Sequence, residues 1–206
     1  MNKFVTFALA QALMLATAAG ATAEAPTGSS DNSTTASRPT LSLDVEIAET
    51  SIRAGEQLAI KATITNHGRE AVTLVQPGDG SACGWRTPLT GVSLAPAASD
   101  ARHPDLPKPY TGPRCGNVNP LTREEIVFLR PGETMPLSDW FCYLPVRDPG
   151  KHRVVFYYAN QPDKTWRGVP LGQHDAEAMK LVHASTPCQL KSRELIIDVL
   201  AAEDAR

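Results

Sequence analysis

Aromatic and arginine side chains surround a proline-rich stretch in the middle of the sequence. Trp, Tyr and Arg carry much of the binding energy at protein interfaces, and proline lowers the entropy lost on binding. We therefore predict these side chains to be partner-binding residues: Trp85, Arg86, Arg102, Tyr110 and Arg114. The alternative is that Trp85 packs inward as an anchor of its loop, with Arg86 beside it.

Four cysteines are the second group of reactive residues, Cys83, Cys115, Cys142 and Cys188. In an exported protein an even number of cysteines predicts disulfide bonds, and three pairings are possible. The favoured pairs are Cys83–Cys115, which would fix the proline-rich stretch, and Cys142–Cys188, which would tie the segment before the last strand to the domain. Loop-closure entropy gives roughly 3.5–4 kcal/mol for each bridge.

The sequence has no Gly-x-Ser-x-Gly, Ser-x-x-Lys or His-Glu-x-x-His motif, so the common hydrolase signatures are missing. A copper site of the cupredoxin type would use Cys142 and His152, with Met135 and His67 as further ligands. The nine residues between Cys142 and His152 are a wide spacing for such a site. We therefore predict no enzyme activity, no cofactor and no metal site, and keep a copper-binding sandwich protein as an alternative.

The composition is that of one globular domain in which proline is unevenly distributed. The 206 residues are 42% hydrophobic, with 20 Lys and Arg against 22 Asp and Glu. This balance excludes a basic nucleic-acid-binding protein and a wholly disordered chain. Twelve of the 17 prolines lie between Pro77 and Pro149, and six lie in residues 95–121. Since proline removes a donor from a strand ladder, residues 95–121 are predicted to form a long loop.

Residues 1–23 have the pattern of a secretory signal peptide. A basic residue precedes an apolar run from Phe4 to Ala18, and Ala21-Thr22-Ala23 matches a cleavage site. The run is too short for a transmembrane span, and no later segment is long and apolar enough for one. Residues 24–40 are rich in Ser and Thr and predict a flexible linker. We expect the folded domain over residues 41–202, in a protein exported to the periplasm or the extracellular space.

Alternation of apolar and polar residues predicts short β-strands in the rest of the chain. The predicted strands cover 41–48, 58–65, 71–75, 92–94, 124–129, 134–141, 152–159 and 194–200. Asn66 to Arg69 is predicted to form a tight reversal between the second and third strands. Residues 173–184 predict a helix capped by Asp175. Seven to nine short strands with one short helix before the last strand are typical of an antiparallel β-sandwich.

Two stretches resemble bacterial extracytoplasmic immunoglobulin-like domains. Residues 52–74 contain a Gly-Glu turn before a strand and an Asn-x-Gly reversal after it. Residues 129–154 contain Leu-Arg-Pro-Gly-Glu, then Asp-Pro-Gly and another strand, with His152 at the position of the corner Tyr. The likeness covers about residues 41–75 and 124–200. It implies an immunoglobulin-like β-sandwich.

A second resemblance is to the bacterial proteinase-inhibitor-like sandwich family. It rests on Asn66 followed by Val72-Thr73-Leu74 and on the turn at residues 129–133. Together these features predict an exported, non-enzymatic binding or interaction module with a disulfide-stapled loop surface. Its partner would be an unidentified protein or a cell-envelope ligand. A secreted protease-inhibitor-like protein that presents the same loop is the alternative.

Overall fold

The part of the chain that the structure describes contains ten β-strands and one α-helix. The computed structural model describes residues 40–106, 108–109, 111, 119–137, 146–163 and 175–202. These residues all lie in one compact unit, Ser37–Arg206. In chain order the elements are β1 (Leu41–Ile47), β2 (Ser51–Arg53), β3 (Ile60–Asn66), β4 (Val72–Val75), β5 (Leu89–Pro96), β6 (Ile126–Leu129), β7 (Thr134–Pro136), β8 (Gly150–Asn160), α1 (Ala176–His183), β9 (Cys188–Lys191) and β10 (Leu195–Leu200).

The long strand β8 is central to the largest sheet, whose order is β2-β10-β8-β5. β9 and β10 pair one after the other along one edge of β8, and β5 pairs along the other edge. The remaining strands form a sheet of order β1-β3-β7 and a two-stranded sheet, β4-β6. Among the described strands every pairing is antiparallel except that of β2 with β10. The all-β prediction is therefore confirmed, with one helix before the last two strands.

The period-two pattern decides which face of each strand is buried. In β1, Leu43 and Val45 are buried, whereas the acidic residues between and after them are exposed. In β8, Val154, Phe156 and Tyr158 belong to the main hydrophobic core. The residues that alternate with them point to the opposite side of the largest sheet, which we call the outer face.

The main core collects side chains from all three sheets. It includes Ile64 of β3, Leu74 of β4, Met135 of β7 and Ile197 of β10, each 1% exposed or less. A smaller cluster forms where α1 packs on the two-stranded sheet, and Ala178 and Val182 are its buried helix residues. The helix predicted over residues 173–184 is confirmed as α1. Asp175 caps it, as predicted, by accepting from Glu177 N at 2.9 Å.

Two turns with the sequence Arg-x-Gly-Glu have the same structure. Arg53 N and Arg130 N each donate to the carboxylate three residues later, at 2.7 Å, and each Glu N donates back to the Arg carbonyl. The intervening Gly55 and Gly132 have φ of 91° and 80°, a conformation that residues with a Cβ adopt at a cost. The repeated sequence therefore marks a repeated structural element.

Residues 66–69 connect β3 to β4, but they do not close a hairpin. The predicted tight reversal between paired strands is therefore wrong. β3 and β4, on either side of residues 66–69, lie in different sheets and do not pair. The Asn66 side chain is fully buried and donates to the carbonyls of Glu70 (2.8 Å) and Leu129 (3.1 Å), while its oxygen accepts from Gly68 N at 2.9 Å. These bonds guide the chain from one sheet to the next.

Other strand boundaries also differ from the prediction. The ten described strands exceed the predicted seven to nine because the short strands β2 and β9 have no predicted counterpart, whereas β7 covers the first three residues of the predicted strand 134–141. Residues 123–125 form a 3-10 turn before β6, and the predicted strand 92–94 is part of the longer β5. The predicted signal peptide, most of the linker and residues 138–141 lie outside the described residues. Among the described residues, no helix is long and apolar enough to cross a membrane.

Candidate binding surface

The first part of the proline-rich segment, residues 97–106, lies across the outer face of the largest sheet. We call it the strap. Val155 and Tyr157 point to the outer face, away from the main core, and yet they are only 2% and 1% exposed. A sheet face without a cover leaves its side chains in water. The strap therefore provides a second buried interface for β8.

Polar side chains of the sheet hold the strap by its main chain. The donors are an arginine and a tyrosine on β8 and a lysine on β9, and the acceptors are strap carbonyls. The bonds run from Arg153 to Ser99 O (2.8 Å) and Ala101 O (2.6 Å), from Tyr157 to Pro104 O (2.6 Å), and from Lys191 to Pro104 O (3.4 Å). These bonds fix the main chain of the strap to the sheet.

The His103 ring of the strap lies between β5 and the segment that joins β9 to β10. Its Nδ1 lies 2.8 Å from Ser93 Oγ on β5, and its Nε2 lies 3.4 Å from the Glu194 carboxylate. Burial lowers the pKa of the His103 imidazole below its ordinary value; Glu194 opposes this shift, whereas Arg153 and Lys191 add to it. The imidazole is therefore neutral near pH 7.

The order Ser93, His103, Glu194 is that of a nucleophile, a base and an acid in many hydrolases. However, the His103 side chain is only 4% exposed, and the strap covers it. The Glu194 oxygen nearest His103 also lies 3.5 Å from Arg153 Nη1. In this arrangement Ser93 and His103 hold the strap, and a substrate would have to displace it to reach the serine.

Arg86 lies inside the turn that precedes β5. It is 2% exposed, and its guanidinium forms a hydrogen-bonded ion pair with Glu125. Arg86 Nη1 also lies 3.4 Å from Asn119 O. A Cβ at Gly78 would overlap both members of the ion pair, so any other residue there would have to displace it. The ion pair joins the turn at residues 77–86 to the segment that leads into β6.

The structure separates the five predicted partner-binding residues into three groups. Arg102 is exposed on the strap, and Trp85 is half-buried beside Arg86. The burial of Arg86 fits the alternative in which this turn is anchored inward, and does not favour a direct contact with a partner. Tyr110 and Arg114 lie outside the described residues. The partner-binding role of all five remains a prediction.

The turn before β5 lies against a later part of the proline-rich segment. A Cβ at Gly84 would lie 3.4 Å from Pro109 Cγ, which places the two segments in close contact. Cys83 is buried next to this contact, and Cys115 follows Pro109 by six residues. This proximity is compatible with the predicted Cys83–Cys115 bond.

No disulfide joins the cysteines that the structure describes, Cys83 and Cys188. Their predicted partners, Cys115 and Cys142, lie outside the described residues. Cys188 pairs with Asn160 at one end of β8, and burial raises the pKa of its thiol to about 11. A thiol with this pKa is protonated at neutral pH and is a weak nucleophile.

The length of β8 does not favour the predicted Cys142–Cys188 bond. Val146 lies beyond the opposite end of β8, where its carbonyl accepts from Gly55 N. The 11 residues of β8 span about 33 Å at ~3.3 Å per residue. Cys142 precedes Val146 by four residues, which reach at most ~14 Å. Since a disulfide requires Cα atoms within ~7 Å, this pairing stays a prediction that the strand geometry opposes.

A cavity of about 980 Å³ opens beside Cys188, between the start of β1 and β9. Leu41, Leu190 and Pro162 form part of its wall, and Gln189 and Asp163 are polar residues of its lining. Leu190 and Cys188 face the main core from β9. The cavity is therefore an opening between two sheets at one end of the molecule.

The residues named for copper binding have other partners. His152 Nε2 lies 2.7 Å from Asp148 O, and His67 Nε2 lies 3.0 Å from Ser42 Oγ. Met135 is buried in the main core, and Cys142 lies outside the described residues. In the described ranges, no group of three His, Cys, Asp or Glu residues is arranged to hold a metal ion.

The sequence-based prediction missed the residues that hold the strap. Arg153, Tyr157 and Glu194 lie in predicted strands and Lys191 lies between two of them, and the spacing of these residues matches no known motif. Their relation to the strap depends on contacts between residues about 50 to 90 positions apart. Such contacts leave no periodic signal in one sequence.

No protein-family model and no curated protein matches the sequence. The chain is similar to a CARDB domain of a Pyrococcus furiosus protein in complex with di-metal ions, with 12% identity and a TM-score of 0.33 over 80% of this chain and 96% of that one. It is also similar to a β-glucosidase from Listeria innocua in complex with glucose, with 14% identity and a TM-score of 0.30 over 79% of this chain. The chain spans 16% of the β-glucosidase. Scores this low identify neither a fold family nor a function.

Proposed function

We propose that the chain is an exported, non-enzymatic interaction module that binds a protein or a cell-envelope ligand through the strap and the turn before β5. The observation that carries this proposal is the attachment of the strap to the sheet by side chains of two strands, Arg153 and Tyr157 on β8 and Lys191 on β9. A segment already held in one conformation loses little entropy when it binds. The strap would therefore act as a preformed surface.

The exposed side chains on this surface are suited to a polar protein partner. Arg102, Asp105 and Lys108 are exposed, and Pro109 packs against Gly84. Half-buried Trp85 adds an aromatic group at the border of the surface. Arginine and tryptophan contribute most when they lie in the centre of an interface, whereas surrounding charges mainly determine specificity and association rate.

We also propose that the strands form an immunoglobulin-like sandwich. His152 supports this assignment, because it stands at the position that resembles the corner Tyr and its Nε2 lies 2.7 Å from the carbonyl of Asp148, four residues upstream. A tyrosine corner makes the same kind of bond to the upstream main chain. The carbonyl can only accept, so the Nε2 of His152 donates.

Export of the chain rests on the signal-peptide pattern of residues 1–23, and the proposed Cys83–Cys115 bond depends on export. The disulfide would close the turn before β5 onto the proline-rich segment. Intact-mass measurement of protein recovered from the periplasm and the medium tests both. We expect a chain that begins at Glu24 and is lighter by two hydrogens than its fully reduced form. A chain retained in the cytoplasm with all four thiols free would contradict the proposal.

Site-specific photo-crosslinking in the source organism tests the binding surface. A photoreactive residue is placed at Arg102 or Lys108 on the proposed surface, and at Glu46 or Lys61 as controls. The control residues are exposed and pair with each other across β1 and β3. We expect a discrete adduct from the strap positions and none from the control positions.

A double substitution then tests whether the adduct reports binding. Trp85→Ala with Arg102→Ala should reduce the adduct formed from Lys108 at least tenfold while the far-UV spectrum stays unchanged. Equal adducts at the strap and control positions would refute the surface. For the non-enzymatic part, a fluorophosphonate probe should label neither the protein nor its Ser93→Ala variant. Labelling that disappears in Ser93→Ala would instead identify a hydrolase.

A further inference from the structure

The strap is attached mainly by hydrogen bonds, and one of its attachment points is the imidazole of His103. The Tyr157 hydroxyl stays protonated because burial raises its pKa. His103 differs, since an imidazole titrates between pH 5 and 8. It is also the strap residue whose ring lies between β5 and the segment that joins β9 to β10.

We propose that His103 is a pH-sensitive latch: in its neutral form it holds the strap on the outer face, and its protonation releases the strap. The proposal goes beyond the binding function, because it concerns the chain alone and requires no partner. It rests on the position of His103, whose two ring nitrogens face Ser93 on one side and Glu194 on the other.

The groups that face His103 determine how costly its protonation is. Arg153 on β8 and Lys191 on β9 carry positive charge toward it, and Glu194 carries the opposing negative charge. Ser93 faces it as a neutral hydroxyl group, Tyr157 lies beside Ser93, and Asp105 belongs to the strap itself. Glu194 is shared with Arg153 and 41% exposed. Its single charge does not compensate for burial and for two nearby cations.

The sign of the pH dependence follows from the position of His103, whose side chain is 4% exposed and lies near Lys191 and near a Glu194 carboxylate that Arg153 shares; these surroundings lower the pKa of the imidazole. When the strap is released, His103 has its ordinary pKa, 6.5. Above that pH both states are neutral, and the strap has its full stability. As the pH falls below 6.5, the released state takes up a proton first, so the equilibrium shifts toward release until the lower pKa of the attached state is passed.

Release of the strap would change the outer face from covered to exposed. Val155 and Tyr157 would meet water, next to Ile196 of β10, which is already 48% exposed. Ile196 pairs with Arg153 across the sheet, so these side chains form one continuous surface. Acidification would therefore convert a polar surface into an apolar one.

NMR of the full chain measures the two events of the proposal separately. The pKa of the His103 ring is followed through its carbon-bound protons, and strap release through hydrogen exchange of residues 97–106, corrected for the intrinsic pH dependence of exchange. We expect a His103 pKa below 6.5, and at least a tenfold loss of protection between pH 7.5 and 5.0. A His103 pKa at or above 6.5, or protection that stays constant, would overturn the latch.

Two variants separate the latch from general acid sensitivity. His103→Gln keeps a polar side chain near Ser93 but cannot be protonated, so its strap protection should not change with pH. His67→Gln is the matched control, because His67 is exposed and bonded to Ser42 on the other sheet; it should behave like the parent chain. Retained pH dependence in His103→Gln would refute the proposal. If that variant does not fold, agreement between the ring titration and strap exchange in the parent chain decides.

Discussion

Replacement of Arg86 by methionine tests whether this residue is a structural anchor. Methionine fills a similar volume but leaves the Glu125 carboxylate without its cation. Removing one member of a buried ion pair costs ~3–5 kcal/mol. Glu125 retains 24% side-chain exposure, so water partly compensates and we expect a loss of about 2–4 kcal/mol in the free energy of unfolding. The bond to Asn119 O is lost as well.

Urea unfolding followed by far-UV circular dichroism measures this loss. A domain of this size has a urea m-value of about 2 kcal/mol per M, so the midpoint should fall by about 1–2 M. Arg130→Met is the matched control, because Arg130 and Glu133 form an ion pair of 3.7 Å with 72% and 45% exposed side chains. Exposed pairs contribute about 0–1 kcal/mol, so this variant should unfold close to the parent chain.

The double variant Arg86→Met with Glu125→Leu separates the ion pair from other effects of the substitution. When both charges are removed, no carboxylate remains unpaired, and much of the stability should return. The reasoning is refuted if Arg86→Met costs less than about 1 kcal/mol, or if the double variant is no more stable than the single one. The first result would reopen a direct role for Arg86 in partner binding.

The remaining predictions concern the main-chain connections. Asn66→Ala removes three hydrogen bonds from a fully buried amide and should destabilise the fold by about 2–4 kcal/mol in the same urea assay; a loss below about 1 kcal/mol would show that water replaces the amide. Gly132→Ala should cost about 1 kcal/mol because φ is 80° there; a variant as stable as the parent chain would contradict the role of the positive φ.

The strands in which apolar and polar residues alternate regularly were the easiest to predict. β1 and β3 have one buried face and one polar face, and their boundaries agree with the prediction within two residues. The short strand β2 has only three residues, too few to show a period. The pairing of strands was harder, because the Asn66 to Arg69 sequence matches a hairpin turn and gives no sign that the Asn66 amide is bonded to Leu129 O, 63 residues away.

The position of the candidate surface was predicted in part. The loop predicted over residues 95–121 is corrected at its start, because Ala95 and Pro96 end β5, an edge strand in which proline is tolerated. Residues 97–106 contain no strand, and Arg102 lies exposed among them. Composition did not indicate that Arg86 is buried with Glu125, because a charged residue near a tryptophan looks the same in sequence whether it faces a partner or the interior. The deciding contact joins residues 39 positions apart.

The sequence of β8 nevertheless indicates that both faces of this strand are covered. Residues 154–159 form an uninterrupted apolar and aromatic run, Val-Val-Phe-Tyr-Tyr-Ala, and a strand with such a run is buried on both faces. The main core covers one face, through Phe156 and Tyr158. The other face then requires a cover, and the long segment without strand periodicity, residues 95–121, is the obvious candidate. The polar residues that hold this cover, Arg153 and Lys191, are needed because a strap bonded by its carbonyls cannot pair with the sheet as a strand would. The contacts of Arg153 and Lys191 with the strap carbonyls are therefore a consequence of covering β8 with proline-rich chain.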